Sequence, residues 1–115
     1  MPSITDIDPV TRQAARTFIA RVSAQYAVVD AILFGSRARH SSRMDSDLDI
    51  AVVLRGNRDQ FVDTKLALAD IAYDVLLETG ILVQALPLWE AELKQPERYT
   101  NPDLLRNIRR DGIKL

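Results

Sequence analysis

Asp47 and Asp49 are the residues of this sequence best suited to chemistry. A single residue separates them in a segment that is typical of a β-strand, so their side chains point the same way. Two carboxylates a few ångströms apart repel each other, and one tends to take up a proton. A divalent cation removes the conflict, and Mg²⁺ prefers carboxylate oxygens while keeping water and phosphate ligands. The pair predicts half of a magnesium site rather than a general acid and base; a solvated strand face is the alternative.

Gly35 and Ser36 form a second candidate site, and ten residues separate Ser36 from Asp47. Glycine lets the backbone approach a ligand closely, and the serine offers a hydroxyl and an N–H to an anion. Arg37, Arg39 and Arg43 follow in the same loop, and guanidinium groups pair well with phosphate oxygens. The segment predicts a phosphate-binding turn, with a plain turn and a solvated basic loop as the alternatives.

Two short apolar runs must position these residues. Val28–Phe34 predicts a buried strand that ends directly before Gly35. Leu48–Leu54 predicts a second strand with a clear alternation. One face carries Leu48, Ile50, Val52 and Leu54, and the other carries Asp47, Asp49 and Ala51.

Helical patterns flank the strands. Asp8 as N-cap and Pro9 at the first turn predict a helix to about residue 26, with Val10, Ala14, Phe18 and Val22 on its core face. Residues 59–79 predict the longest helix, ended by Gly80. The spacing favours a core stripe of Val62, Leu66, Ala69, Tyr73 and Leu76.

The remaining residues predict a strand at 81–86 stopped by Pro87, a helical segment at 88–95, and a last helix at 103–110 between Pro102 and Gly112. The order of elements predicts an α/β (α+β) fold, a small mixed sheet flanked by helices, with residues 1–115 as a single domain. At this length we expect little room for a separate substrate-binding domain.

Composition bears on the partners, the metal chemistry and the cellular location expected for the protein. Its 15 basic and 16 acidic residues give a net charge of −1, which calls for neither a nucleic-acid nor a membrane partner. There is no cysteine, so a thiolate metal site is excluded. The N-terminal residues do not resemble a signal peptide, and we expect a cytoplasmic protein.

Residues 34–39, Phe-Gly-Ser-Arg-Ala-Arg, and residues 45–50, Asp-Ser-Asp-Leu-Asp-Ile, together resemble a known signature. It is that of the nucleotidyltransferase superfamily that includes DNA polymerase β. The short length and the form of the motif are similar to the minimal nucleotidyltransferases (MNT), in particular to the MNT antitoxins of HEPN/MNT toxin–antitoxin pairs. The motif spans a small part of the chain, but the predicted order of elements agrees over nearly all of it.

The resemblance implies a polymerase β-like fold and an activity. Asp47 and Asp49 would be the catalytic ligands of two Mg²⁺ ions, and Gly35 and Ser36 would hold the β- and γ-phosphates of ATP. The protein would transfer AMP to a tyrosine of a HEPN-type toxin, with which it would form a hetero-oligomer. We expect no direct contact with nucleic acid.

One departure from the family pattern leaves two functions open, one catalytic and one not. Active members have a third carboxylate on a neighbouring strand, but residues 81–86 contain no acid, and Gln84 is their only polar side chain. Asp74 or Glu78 on the preceding helix are alternative sources, at the wrong register for a strand residue. The sequence therefore leaves open a catalytically degenerate module that binds nucleotide, or that neutralises a HEPN partner by contact.

Acidic side chains also follow one flank of the long helix. A basic partner could dock there, and a solvated helix face is the alternative. The residues are Asp59, Asp63, Asp70, Asp74 and Glu78.

Overall fold

The computed structural model describes residues 8–35 and 47–115. The helices in these ranges are α1 (Pro9–Ser23), α2 (Phe61–Thr79), α3 (Glu90–Lys94) and α4 (Pro102–Asp111). The strands are β1 (Val28–Phe34), β2 (Leu48–Leu54), β3 (Val83–Trp89) and β4 (Ile113–Lys114). They form a sheet in the order β3-β2-β1-β4, in which β2 and β3 are parallel and the other pairs antiparallel. This confirms the predicted mixed sheet with flanking helices.

The sheet is covered on both faces. On one, the α1/α2 face, Leu48, Ile50, Val52 and Leu54 pack with Phe18 and other residues of the two long helices. On the other, the α4 face, Ala51 and Val53 pack with apolar side chains of α4. The alternation predicted for β2 is confirmed, and it places Asp49 on the α4 face with Ala51.

The first helix begins as predicted. The Asp8 carboxylate accepts the Thr11 N–H at 2.9 Å, and Pro9 occupies the first turn. Ala14, Phe18 and Val22 are buried, whereas Val10 is 59% exposed because Thr11 takes the inward position of the first turn. The helix ends at Ser23, so both the predicted end at residue 26 and the burial of Val10 are wrong.

The prediction for the core face of α2 is wrong. Val62, Leu66, Ala69 and Tyr73 are exposed and Leu76 is half-buried, while the buried stripe is Thr64, Leu68, Ile71, Ala72 and Val75. Both stripes have helical spacing and both are apolar, so periodicity could not distinguish them. The helix begins at Phe61, two residues later than predicted, and ends at Gly80 as predicted, with the Gly80 N–H bonded to the Leu76 carbonyl.

The end of β3 also differs from the prediction. The strand continues through Pro87 to Trp89, and the helical segment is limited to Glu90–Lys94. Proline is tolerated because β3 is an edge strand, where one row of backbone groups needs no partner. The predicted final helix is confirmed, and the two-residue strand β4 after Gly112 was not predicted. In the described ranges no helix is both long and apolar enough to cross a bilayer.

Candidate functional site at the start of the second strand

The two aspartates lie where β2 enters the sheet. Asp47 directly precedes the strand and is exposed, and Asp49 is its second residue and half-buried. In the sheet register Asp49 lies between Phe34 of β1 and Gln84 of β3. Since paired residues of neighbouring strands project to the same face, Gln84 stands beside the two carboxylates.

Gln84 contacts the pair directly. Its side-chain amide Nε2 donates a hydrogen bond to Asp47 Oδ2 at 3.1 Å. This bond holds the Asp47 carboxylate towards β3, and the donor is neutral. The side chain therefore orients the carboxylate without cancelling its charge.

Gly35 closes the other side of Asp49. Its φ is +78°, a left-handed conformation that glycine adopts without strain. A Cβ atom on residue 35 would lie 2.3 Å from Asp49 Oδ2. A glycine is thus required at residue 35 for two reasons: the positive φ of its backbone, and the close approach of the Asp49 carboxylate.

The electrostatics of the pair are unfavourable without a cation. Burial raises the pKa of the Asp49 carboxyl above its usual range, and repulsion from Asp47 raises that pKa further. Within residues 8–35 and 47–115 neither aspartate takes part in a salt bridge. Two carboxylate groups on one strand end, with their charge unmatched, are a donor set that suits a hard divalent cation.

The described residues supply only part of a coordination shell. Among them no group of three or more His, Cys, Asp or Glu side chains could hold a metal ion. Mg²⁺ commonly takes one or two carboxylates and completes its shell with water and substrate phosphates. Asp47 and Asp49 fit that pattern, so a metal here would depend on a phosphate ligand for part of its shell.

The alternative third acids suggested from the sequence are not at this site. Asp74 and Glu78 are exposed residues of α2, which packs on the α1/α2 face of the sheet, whereas Asp49 projects to the α4 face. Glu78 is instead paired with Arg21 of α1. Neither alternative source is therefore near the pair, as their register predicted, and Gln84 is the β3 residue that pairs with Asp49 in the sheet.

A cavity that sequence reasoning missed adjoins the site. Its volume is about 170 Å³, and it shares Gly35 with the site, since this glycine forms part of its wall. Most of the wall comes from α4. The strand that follows this helix, β4, pairs with β1 and so keeps α4 near β1. The lining residues are Phe34, Gly35, Leu104, Asn107, Ile108 and Asp111. The sequence predicted the helix at 103–110 but gave no indication of a cavity beside it.

Several predicted residues cannot be placed. Ser36, Arg37 and Arg39, together with Arg43, lie outside the described residues, so their predicted contacts with phosphate stay predictions. The structure brings together Gly35, Asp47 and Asp49 from the predicted set. It adds Gln84 as their neighbour.

Comparison with known proteins agrees with this arrangement. A family model described as "Nucleotidyltransferase domain" matches residues 15–115. A crystal structure titled as that of a candidate nucleotidyltransferase from Sulfolobus solfataricus superposes with a TM-score of 0.58 at 21% sequence identity, over 89% of this chain and 76% of that one. At that identity the likeness shows the fold alone. No curated protein matches the sequence.

Proposed function

Because the chain belongs to the nucleotidyltransferase domain family, we propose that it is a Mg²⁺-dependent nucleotidyltransferase that transfers AMP from ATP to a HEPN-type toxin. In that role it is an antitoxin, since the modified toxin loses its activity. The donor and the acceptor come from the resemblance of residues 34–50 to the MNT antitoxins. The nature of the site comes from the structure.

The observation that supports this function best is the close approach of Gly35 to Asp49 at one end of the sheet. Gly35 directly follows β1, Asp49 is the second residue of β2, and a Cβ atom on residue 35 would displace the Asp49 carboxylate. A glycine turn against a carboxylate pair offers backbone donors to phosphate and oxygen ligands to the cation that accompanies it. A purely structural turn would not need this contact between the glycine and the carboxylate.

Each residue has a defined part in this proposal. Asp47 and Asp49 hold the magnesium, and Gln84 orients the Asp47 carboxylate through its hydrogen bond. Gly35 and Ser36 hold the terminal phosphates, with Arg37 and Arg39 contributing charge. The magnesium would neutralise the triphosphate and lower the pKa of the acceptor hydroxyl.

The transfer itself is a substitution at the α-phosphorus. The tyrosine oxygen of the acceptor forms a bond to this phosphorus while the bond to the pyrophosphate oxygen breaks. The proton of the hydroxyl passes to solvent, and pyrophosphate leaves. No carboxylate occupies the position of Gln84, so the described residues provide positioning and charge rather than a third acid.

The test is transfer of label from α-labelled ATP to a purified HEPN-type toxin from the same genome, in the presence of Mg²⁺. We expect a labelled toxin with the native chain and a loss of more than about a hundredfold in rate with Asp47→Asn. Glu97→Gln is a matched control, because it removes one exposed carboxylate away from the site. Absence of label with the native chain, or equal labelling by Asp47→Asn, would refute the transferase.

Gln84 favours a second function. Its neutral amide is the β3 side chain that contacts the carboxylate pair, and residues 81–86 contain no acid, which suits a module that binds nucleotide or a HEPN partner without catalysis. For such a module, calorimetry would detect tight binding to the partner that survives the double change Asp47→Asn, Asp49→Asn. Weak or absent binding to that partner would exclude it.

A further inference from the structure

The outer face of α2 carries an apolar surface that the fold does not use. We define the α2 outer face as Val62, Leu66, Ala69, Tyr73 and Leu77, which follow at intervals of four, three, four and four. Their spacing places them on one side of the helix. The exposed fractions of the four large side chains are 66%, 61%, 58% and 68%.

This exposure is concentrated rather than scattered. Among the described residues only Val10 and Val29 are further large apolar side chains of comparable exposure. Single exposed apolar residues are ordinary, but a contiguous row along about four turns of one helix marks a contact surface. The opposite side of α2 already packs in the core through Leu68 and Val75, so the outer face contributes little to folding.

Acidic residues line one flank of this face. Asp63, Asp70 and Asp74 each follow directly after a residue of the α2 outer face, and all three are exposed. None of them forms a salt bridge within residues 8–35 and 47–115. The one cation of α2, Lys65, is on the other flank, over the Phe61 ring.

Because the acidic residues lie on only one flank of the α2 outer face, its two possible partners can be compared: a second copy of this chain and a different protein. In an antiparallel two-fold pairing of α2 with a second copy, the acidic flanks would lie on the same side of the interface and repel. In a parallel two-fold pairing, each acidic flank would meet a flank with Lys65 as its single cation. A partner with several cations beside an apolar ridge matches the surface better than a second copy does.

We propose that the α2 outer face binds an amphipathic helix of another protein, whose apolar ridge is flanked by Lys and Arg. The apolar ridge packs on Leu66, Tyr73 and Leu77, and the cations pair with the acidic flank. The surface lies on the opposite side of the sheet from Asp49, so its occupation leaves the candidate site open. The proposal therefore does not depend on any transfer activity.

The test uses the full chain and a synthetic helical peptide with Leu at positions i, i+4, i+7 and i+11 and Lys on both flanks. A matched peptide carries Glu in place of Lys. Binding is measured by fluorescence anisotropy for the native chain, for Leu66→Gln with Leu77→Gln, and for Asp70→Asn with Asp74→Asn. Val29→Thr is the control, because Val29 is an exposed apolar residue of β1.

We expect the Lys peptide to bind and the affinity to fall about tenfold or more in the Leu double variant. The Asp double variant should bind more weakly and lose most of the salt dependence, and the control should bind like the native chain. Circular dichroism verifies that each variant is folded, which is expected for changes at exposed positions. Failure of the native chain to bind the Lys peptide, equal binding of the Glu peptide, or equal binding by the Leu double variant would overturn the proposal.

Sedimentation measurements provide an independent outcome. A monomer at working concentration agrees with a surface reserved for a different protein. A dimer that dissociates in the Leu double variant would show that a second copy covers the face, and this would also overturn the proposal.

Discussion

In folded proteins charged side chains usually face water and apolar side chains are usually buried. The start of β2 and the outer face of α2 depart from this distribution in opposite ways. At the start of β2, the Asp49 carboxylate is half-buried beside Asp47, with no cation matched to it among the described residues. On α2, large apolar side chains face water although the helix already has a buried stripe. One region places charge where water is scarce, and the other places apolar surface where water is abundant.

A bound ligand would relieve each departure. A divalent cation would match the carboxylates at the start of β2 and could carry a triphosphate, and a partner helix would cover the α2 outer face. Residues that are locally unfavourable for folding are often found at surfaces that bind a ligand or a partner. The comparison therefore supports the two proposals, in which ligands of different chemistry bind on the two sides of one sheet.

The largest expected effect concerns the two stripes of α2. Leu68→Ala removes a fully buried side chain and should lower the free energy of unfolding by about 3 kcal/mol. Leu66→Ala, two positions earlier and 61% exposed, should change it by less than about 0.5 kcal/mol. Chemical denaturation measures both. Equal losses would mean that the outer face belongs to the folding core.

Gly35 offers the next largest effect. Gly35→Ala and Gly80→Ala both place a methyl group on a residue with positive φ, and each should cost about 1 kcal/mol of stability. Only at residue 35 does the new Cβ meet a carboxylate, whereas nothing lies within 4 Å at residue 80. Because Asp49 must then rotate away, Gly35→Ala should weaken Mg²⁺-dependent ATP binding by about tenfold or more.

Titration calorimetry with ATP and Mg²⁺ would make this comparison, with Gly80→Ala as the matched control. Equal affinities of the two variants would show that the contact between Gly35 and Asp49 has no part in binding.

Gln84→Asp adds a third carboxylate beside the pair and removes the hydrogen bond to Asp47. In the absence of metal, the added repulsion should lower the unfolding free energy by roughly 1 kcal/mol. Mg²⁺ should raise the melting temperature of this variant more than that of the native chain, since the cation now relieves a larger repulsion. A melting temperature that responds to Mg²⁺ equally in both proteins would argue against a metal at this position.

The smallest effect is expected for Asp49→Asn. The raised pKa of the Asp49 carboxyl means that its ionised form destabilises the folded state, fully so at pH values above the raised pKa. The variant should melt slightly higher than the native chain at neutral pH without Mg²⁺. This advantage should shrink as the pH falls through the raised pKa and disappear below the ordinary pKa of an aspartate. Melting curves recorded at several pH values test the sign.

The elements with strong local signals could be predicted from the sequence. Asp8 and Pro9 gave the start of α1, Gly80 gave the end of α2, and the alternation in β2 placed Asp47 and Asp49 at one strand end. These features depend on backbone conformation and on residue spacing over a few positions. Such local causes are contained in the sequence itself.

The tertiary structure alone decided the features that arise from contacts between distant segments. It selected Leu68 and Val75 over Leu66 and Tyr73 as the buried side of α2, because two apolar stripes compete and only packing on the sheet separates them. The parallel register of β2 and β3 brought Gln84 to Asp47, 37 positions apart. The cavity beside Gly35 is lined by the end of β1 and by α4, and α4 lies there because the following strand, β4, pairs with β1. Each of these depends on long-range pairing, which no local pattern encodes.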